Sequence, residues 1–184
     1  MKSGIIFLAG IYGVGKSTLS VKLSKKLHIP EYSASDLISK YNDEMYGKNK
    51  FVTDAKNNQV ILTEETSKLL ERNQSLLLSG HFCIFNKDFS VNILPQTFFE
   101  KSNIIKIILL QADSSVIMNN LEKRDCIKYS KENLICLQDA EIKQAKEVSL
   151  NKNIPLTIYD MLFSDNDVSN VTRIINRSDY ESFA

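Results

Sequence analysis

The chain of 184 residues has few cysteines and no long apolar segment. Its three cysteines, Cys83, Cys126 and Cys136, form no CxxC pair, which argues against a disulfide framework and against a structural zinc site. No run approaches the roughly 20 apolar residues that span a bilayer. The apolar run at residues 5–9 is too short for a secretory signal. We therefore expect a cytoplasmic protein with free thiols and no membrane segment.

An excess of charge of either sign is also lacking. The 23 basic and 22 acidic residues give a formal net charge of +1, and no basic patch is interleaved with aromatic residues. This balance argues against nucleic acid and acidic membranes as partners. Arginine is scarce as well, because the chain contains only Arg72, Arg124, Arg173 and Arg177. Lysine can supply charge to a phosphate but cannot form the bidentate contact that arginine makes.

Short apolar runs alternate with helical stretches along the chain, and no repeat, low-complexity tract or linker interrupts them. This alternation is typical of βαβ units and a parallel sheet. It predicts one α/β domain over residues 1–184, a three-layer doubly wound fold with a five-stranded parallel sheet. The strands are predicted at 4–9, 31–33, 75–79, 104–110 and 156–159, and the helices at 17–27, 35–41, 59–72, 94–101, 113–123, 130–151 and 167–176.

Two segments, residues 43–58 and 124–131, do not fit the regular scaffold. Residues 43–58 are polar and irregular, rich in Asn, Lys and Asp, and residues 124–130 form a polar break. Residues 81–92 are predicted to be a loop. Ser130 and Asn133 are candidate N-caps for the long helix that follows. Long polar insertions on such a scaffold usually cover a site or form exposed loops.

Residues 10–17 read Gly-Ile-Tyr-Gly-Val-Gly-Lys-Ser, which matches the pattern GxxxxGK[ST] between a predicted strand and an amphipathic helix. The glycines allow positive φ and a close approach of the backbone to phosphate oxygens. The loop N–H groups then converge on an anion, aided by the positive end of the helix. Lys16 places its charge on the β and γ phosphates, and Ser17 offers a hydroxyl to magnesium.

This loop predicts a site for a nucleoside triphosphate, ATP or another, together with Mg²⁺. The context argues against the alternative, a glycine-rich turn without a ligand. The residues assigned to the nucleotide are Gly10, Tyr12, Gly13, Val14, Gly15, Lys16, Ser17 and Thr18.

The ends of two other strands narrow the class of nucleotide-binding protein. ATPase machines carry a strand that ends in an acidic magnesium ligand, but neither 76–81 nor 107–112 ends in Asp or Asp-Glu. Asp113 follows late and is typical of a helix cap. The recognition tetrad of GTP-binding switches is also missing.

The order of elements resembles the nucleoside-monophosphate-kinase branch of P-loop proteins, and most closely the compact adenylate kinases of archaeal type. The resemblance covers nearly the whole chain and implies a P-loop NTPase fold and a small kinase of the AAA-family ATPase-like kind. The residues that carry it are the loop 10–18, Ser79-Gly80-His81 after the third strand, Lys123-Arg124-Asp125 after the fourth, and Gln138, Glu141 and Ala145 on the long helix before Ile154-Pro155-Leu156.

The resemblance implies roles for several side chains. Lys16 and Arg124 would act on the transferred phosphoryl group, Arg124 from a short lid at 124–131. Asp36 would bind magnesium with Ser17 or act on the acceptor. Each has a structural alternative, because a cation stabilises the end of a helix and an acidic residue its first turn.

The same resemblance places the acceptor next to His81, at the carboxyl end of a central strand where ligands bind in such sheets. Gln59 and the segment 43–58 would cover it, unless that segment is a solvated loop. No arginine lies between residues 1 and 71, which weakens AMP as the acceptor. Other small molecules and a polynucleotide end stay open.

The sequence thus predicts a kinase that transfers the γ-phosphoryl of Mg-ATP to a nucleotide or another small molecule. One alternative is a non-catalytic or slow-hydrolysing accessory module, which the missing acidic strand end and the single lid arginine favour. A second is a polynucleotide 5′-end kinase, which the near-neutral charge disfavours. The acceptor, a preference for ATP or GTP, and a protein partner or homo-oligomer cannot be read from the sequence.

Overall fold

The structure is a computed structural model of the chain, and it describes residues 3–42, 55–124 and 129–177. Strands and helices alternate along these residues. The elements are β1 (Gly4–Ala9), α1 (Lys16–Leu27), β2 (Glu31–Ser33), α2 (Ala34–Asn42), α3 (Ala55–Arg72), β3 (Ser75–Ser79), β4 (Cys83–Phe85), β5 (Val91–Ile93), α4 (Thr97–Lys101), β6 (Ile104–Gln111), α5 (Ser114–Arg124), α6 (Lys131–Lys152), β7 (Leu156–Asp160) and α7 (Asn166–Asn176).

Five strands form one parallel sheet in the order β2-β3-β1-β6-β7, flanked by helices. Every residue of β1 and β3 is buried, because central parallel strands are covered on both faces, and this explains their continuous apolar runs. The α/β fold and its five-stranded parallel sheet are therefore confirmed. The parallel arrangement brings the carboxyl ends of all five strands to one edge.

Strand β6 contains a buried lysine within its apolar run. Lys106 is 8% exposed, and its Nζ donates to the backbone oxygens of Ile174 at 2.9 Å and Arg177 at 3.0 Å. These carbonyls lie at the end of α7, where a helix leaves its last carbonyl groups without intrahelical partners. Lys106 therefore serves to cap α7 against the sheet.

Helix α3 begins earlier than the sequence predicts. The predicted irregular segment 43–58 is wrong at its end, because Ala55 already starts the helix. Asn58 and Gln59 are 4% and 5% exposed, so the first turn is packed against the domain although its residues are polar. Tertiary packing has overridden local polarity here. Residues 43–54 lie outside the described residues.

The predicted loop 81–92 contains an antiparallel hairpin. Strands β4 and β5 pair with Cys83 opposite Ile93 and Phe85 opposite Val91. The turn is closed by the Asp88 carboxylate, which accepts from the backbone N–H of Ser90 at 3.0 Å. Strands of three residues are too short to show a period of two, which is why the pattern indicated a loop.

The segment around the predicted lid is described at its two ends. Arg124 is the last residue of α5, and residues 125–128 lie outside the described ranges. The Ser130 hydroxyl accepts from the backbone N–H of Asn133 at 3.1 Å, which confirms Ser130 as the N-cap of α6 and places Asn133 in the first turn. Within the described ranges, no helix combines the length and the apolarity that crossing a membrane requires.

Candidate functional site

The phosphate loop joins the end of β1 to the start of α1. Gly13 has a φ of 75°, and a Cβ there would lie 2.8 Å from Cγ of Leu121 and 3.0 Å from the backbone oxygen of Ile117. Asn120 Nδ2 donates to the Gly13 carbonyl oxygen at 3.0 Å. Helix α5 thus packs directly on the loop, and only glycine fits at position 13.

The loop presents positive charge and N–H groups at one point. Helix α1 starts after Gly15, which has a φ of 96°, and neither a side-chain cap nor an acidic residue occupies its first turn. Lys16 Nζ donates to the carbonyl oxygens of Gly10 at 2.6 Å and Ile11 at 3.0 Å, so its ammonium lies over the loop. Ser17 and Thr18 are exposed beside it. This donor set fits a triphosphate and a magnesium ion.

Two of the predicted nucleotide residues bury their side chains. Val14 is fully buried and Tyr12 is 6% exposed, so a nucleotide would meet Val14 through its backbone. The Tyr12 ring lies against His81, with ring centroids 4.7 Å apart, and near Phe85 at 6.3 Å. Burial, with Tyr129 and Glu141 nearby, raises the pKa of Tyr12 far above its ordinary value. The Tyr12 hydroxyl therefore stays protonated.

A single cleft of about 1160 Å³ brings the predicted side chains together. It runs along the edge of the sheet at which the parallel strands end, the usual position for ligands in such folds. The predicted residues with side chains that line it are Tyr12, Lys16, Ser17, Thr18, Asp36, Gln59, His81 and Arg124. Residues far apart in the sequence therefore face one space.

One side of this cleft, which we call the acceptor wall, is formed by the segments 33–39, 58–62 and 79–84. Within the last segment His81 lines the cleft, whereas Phe82 and Cys83 are buried and do not line it. Asp36 is exposed in the first turn of α2, and His81 is half-buried after β3. The floor between them is apolar and includes Ile38, Leu62 and Ile84. The wall thus combines a carboxylate and an imidazole with an apolar floor, a common composition for small-molecule sites.

Gln59 lines the cleft, but most of its side chain is buried. Its side chain is 5% exposed, and the buried Oε1 accepts no hydrogen bond from the described residues. Because Oε1 is shielded from solvent, Gln59 can read an acceptor only if its side chain turns toward the cleft. Its role in substrate binding stays a prediction.

Arg124 lies at the rim of the cleft, exposed in the last turn of α5. It is the only arginine among the described residues that line the cleft. Lys22 also lines it but forms an ion pair with Asp165 at 2.9 Å. Arg124 therefore faces the same cleft as the phosphate loop, and its contact with a phosphate stays a prediction.

The structure also shows a buried carboxylate for which no role was predicted. Glu141 on α6 is 1% exposed. Its Oε1 accepts from the Gly10 N–H at 3.1 Å, and its Oε2 accepts from the N–H groups of Phe82 at 2.9 Å and Cys83 at 2.6 Å. Burial raises the pKa of Glu141 to about 7, against the opposing effect of these donors and of Lys16.

A signal for Glu141 existed in the sequence. Leu134, Leu137, Ala145 and Val148 form the buried face of α6, and Glu141 lies on the same face at helical spacing. A charged residue within an apolar stripe indicates a buried partner, because an unpaired buried charge is too costly. The partner N–H groups, however, come from segments about 60 and 130 residues away.

A second buried carboxylate organises the loop after β7. Asp167 is 3% exposed and accepts from the Tyr159 hydroxyl at 2.8 Å and from the N–H groups of Leu162 at 3.0 Å and Ser164 at 2.9 Å. This loop carries Met161 and Phe163, which line the cleft and lie beside Gly15. They give the donor side an apolar surface next to the phosphate loop.

A protein-only metal centre is not part of this site. Within residues 3–42, 55–124 and 129–177, no three His, Cys, Asp or Glu side chains are grouped so that they could hold a metal ion. Magnesium in proteins is commonly held by one or two protein oxygens together with substrate phosphates. Ser17, with Asp36 across the cleft, fits that arrangement.

The sheet order and the loop define a P-loop NTPase fold. Residues 9–135 match a protein family described as an AAA domain, and the chain belongs to this family. No curated protein matches the sequence.

Solved kinase structures share the fold. A gluconokinase from Sinorhizobium meliloti 1021 is 11% identical, with a TM-score of 0.57 over 95% of each chain. A shikimate kinase from Bacteroides thetaiotaomicron is 15% identical, with a TM-score of 0.57 over 95% of this chain and 99% of the other. A candidate kinase from Chloroflexus aurantiacus is 17% identical, with a TM-score of 0.60 over 95% and 97%. At these identities the similarity shows the fold.

Proposed function

We propose that this protein is an ATP-dependent kinase that transfers the γ-phosphoryl group of Mg-ATP to a small-molecule acceptor. The observation that carries the proposal is the shared cleft, in which Lys16 and Ser17 of the phosphate loop face the same space as Asp36 and His81 of the acceptor wall. A nucleotide hydrolase needs only the first pair. The likeness to gluconokinase and shikimate kinase folds supports the same class.

The donor half would hold ATP by its phosphates and its base. Lys16 and the loop N–H groups contact the β and γ phosphates, and Ser17 holds magnesium, with Asp36 acting through water. When bound, magnesium neutralises phosphate charge. Met161 and Phe163 provide an apolar surface for the base beside Gly15. This half is the better defined of the two.

The acceptor half would supply the nucleophile. The acceptor oxygen forms a bond to the terminal phosphorus as the bond from that phosphorus to its bridging oxygen breaks, and ADP leaves with the electron pair. Asp36 takes the proton of the acceptor hydroxyl, while His81 orients the acceptor. Arg124 stabilises the spread negative charge when the lid 124–131 closes.

The acceptor is proposed to be a small molecule other than AMP. Adenylate kinases usually present arginine to the acceptor phosphate, but no arginine precedes Arg72, and Arg72 is exposed and does not line the cleft. The segment 43–58 is proposed to complete the acceptor site within a single domain. We therefore place the protein among small-molecule kinases and do not assign it the adenylate kinase reaction.

A non-catalytic nucleotide-binding module is the second candidate. The observation that favours it is the thin complement of charge around the transfer site, with Arg124 as the only arginine among the described cleft residues. Such a module would bind nucleotide tightly and act through a partner protein.

An acceptor panel separates the two. Formation of ADP is measured with ATP, Mg²⁺ and single nucleosides, nucleotides, polyols, hydroxy acids and 5′-hydroxyl oligonucleotides. We expect one acceptor class to raise turnover, and we expect Lys16→Ala to lower that turnover by about 10²–10³-fold. Lys22→Ala is the matched control, because Lys22 lies on the same helix and lines the same cleft but pairs with the exposed Asp165.

Each candidate makes a different prediction for the same panel. Nucleotide binding without acceptor-dependent turnover, together with a stable partner in a pull-down, would support the module and contradict the kinase. Turnover with the oligonucleotides alone would indicate a polynucleotide end kinase.

A further inference from the structure

Glu141 is hydrogen-bonded both to the phosphate loop and to the acceptor wall. One carboxylate oxygen accepts from Gly10, the first glycine of the loop, at 3.1 Å. The other accepts from Phe82 and Cys83, the residues that follow His81, at 2.9 Å and 2.6 Å. A small shift of the Gly10 backbone would therefore change the hydrogen bonds to Phe82 and Cys83, and the reverse also holds.

A carboxylate is the group that this position requires. All three partners are backbone donors, so both oxygens must accept, and a glutamine would turn its NH₂ group toward at least one donor. An apolar residue would avoid the cost of burying an ion, but it would leave the N–H groups of Gly10, Phe82 and Cys83 without this acceptor. The negative charge therefore serves to hold Gly10 of the loop and the Phe82–Cys83 backbone of the wall to one side chain.

The surroundings of Glu141 contain charge of both signs. Lys16 on α1 favours the ionised form, whereas burial opposes it. Tyr12 in the loop, Cys83 on β4 and His81 beside the cleft are the titratable neighbours, and Glu147 lies further along α6. Burial, together with Glu141 and Glu147, raises the pKa of the Cys83 thiol to about 12, so it stays neutral.

We propose that Glu141 is a positioning residue that fixes the phosphate loop relative to the acceptor wall and transmits nucleotide binding at Gly10 to the backbone next to His81. Its importance for turnover rests on the proposed kinase function. The coupling between loop and wall rests only on nucleotide binding. Arrangement of two substrates within one cleft is worth large factors in rate, because a misplacement of about 1 Å can cost about 10²-fold.

The test follows single amides by ¹⁵N–¹H NMR while Mg²⁺ and a non-hydrolysable ATP analogue are added to the full chain. In the wild type we expect the amides of Gly10, Phe82 and Cys83 to shift together. In Glu141→Gln we expect the analogue still to shift Gly10, whereas the response of Phe82 and Cys83 falls by about half or more, since one anchor is lost. Gly80, whose N–H donates to Leu8, reports direct effects in both proteins.

A matched control separates coupling from damage to the helix. Gln144→Leu changes another buried residue of α6, one turn away, whose amide contacts the side chains of Gln96 and Glu147. We expect it to keep the joint response. If turnover has been found, Glu141→Gln should lower kcat by about tenfold or more with KM for ATP nearly unchanged.

Several results would overturn the proposal. No response of Phe82 and Cys83 in the wild type contradicts it, and so does an equal response in Glu141→Gln. Loss of analogue binding in Glu141→Gln alone would show that Glu141 serves only the loop. Should that variant not fold, the wild type is measured at pH 6 and pH 8 instead. The Phe82 response relative to Gly10 must then weaken at pH 6, where the carboxyl gains a proton, and an unchanged ratio contradicts the proposal.

Discussion

The two sides of the cleft are built in different ways. The donor side comes from one stretch of chain, residues 10–18, and its shape is a property of the backbone between β1 and α1. The acceptor wall comes from α2, α3 and the β3–β4 region, and its chemistry depends on side chains such as Asp36 and His81. A contiguous backbone site leaves a readable motif, whereas an assembled side-chain site does not.

The two sides also differ in how firmly they are held. On the donor side, Gly10 N–H bonds to Glu141 and the Gly13 carbonyl bonds to Asn120. On the acceptor side, Glu141 also holds the backbone of Phe82 and Cys83, but the predicted substrate side chains are less constrained. Asp36 is exposed, and the buried Gln59 Oε1 has no hydrogen-bond partner among the described residues. A preorganised donor half suits the nucleotide, which is the same in every reaction, whereas a less constrained acceptor half suits the acceptor, on which specificity depends.

Gly13→Ala should break the donor side most strongly. The added Cβ would meet Leu121 and Ile117 within 3.0 Å at a φ of 75°, so the loop or α5 must move. We expect ATP affinity to fall by about 10²-fold or more, and stability by about 1–3 kcal/mol, by titration calorimetry and thermal unfolding.

Gly80→Ala is the control on the other side for this experiment. Its Cβ would lie 2.8 Å from the Phe7 ring, but no positive φ is involved. It should also lower the melting temperature while ATP affinity stays close to that of the wild type. Equal loss of ATP binding in both variants would erase the distinction between the two sides.

Asp36→Asn should break the acceptor side. The amide keeps the shape but cannot take a proton, and loss of general-base catalysis costs about 10²–10⁴-fold. Turnover should drop in that range while the ATP dissociation constant stays nearly unchanged. Asp165→Asn, another exposed carboxylate lining the cleft, should leave turnover intact. Normal turnover in Asp36→Asn would reduce Asp36 to a residue that stabilises the first turn of α2.

Arg124→Ala should show a smaller effect that tests the rim between the two sides. Removal of one cation at the transferred group should lower kcat by about tenfold or more, and Arg124→Lys should recover only part of it, because lysine lacks the planar fork. Lys123→Ala is the neighbouring control, exposed and outside the cleft lining. Equal kinetics for all three variants would assign Arg124 to helix stabilisation.

The smallest expected effect is a dependence of the protein's stability on pH, which follows the ionisation of Glu141. Burial raises its pKa from 4.5 to about 7, so the folded state binds this proton more tightly than the unfolded state. The resulting stabilisation is complete below pH 4.5 and is lost as the pH rises through 7. We expect the melting temperature of the wild type, relative to Glu141→Gln, to decline by a few °C between pH 5 and pH 8. A pH-independent difference would show that the two states bind the proton equally.

Ionisation of Glu141 should therefore favour turnover and lower the stability of the fold. The ionised carboxylate is the form that accepts from Gly10, Phe82 and Cys83, yet it is the form that burial disfavours. Such a conflict is typical of sites where a local cost is kept for function.

Prediction from the sequence was strongest where structure is local. The strands Gly4–Ala9 and Ser75–Ser79 have the predicted bounds, because buried parallel strands appear as apolar runs. The short strand Glu31–Ser33 also has its predicted bounds, although it is half-buried and polar. The hairpin Cys83–Phe85 with Val91–Ile93 was missed, since strands this short carry no period. The helical start at Ala55 was missed because its buried face is polar. The adenylate-kinase resemblance was finer than the family and fold that are now shown.

The sequence by itself determined the phosphate loop, since GxxxxGK[ST] encodes backbone freedom, a helix start and a lysine within eight consecutive residues. It also determined the class of fold, because alternation of strand and helix periods needs no long-range information. Only the tertiary structure decided that Asp36, His81 and Arg124 share a cleft with Lys16, and that Glu141 joins the loop to Phe82 and Cys83. The reason is physical, because burial and hydrogen bonding between distant segments depend on how the helices pack against the sheet.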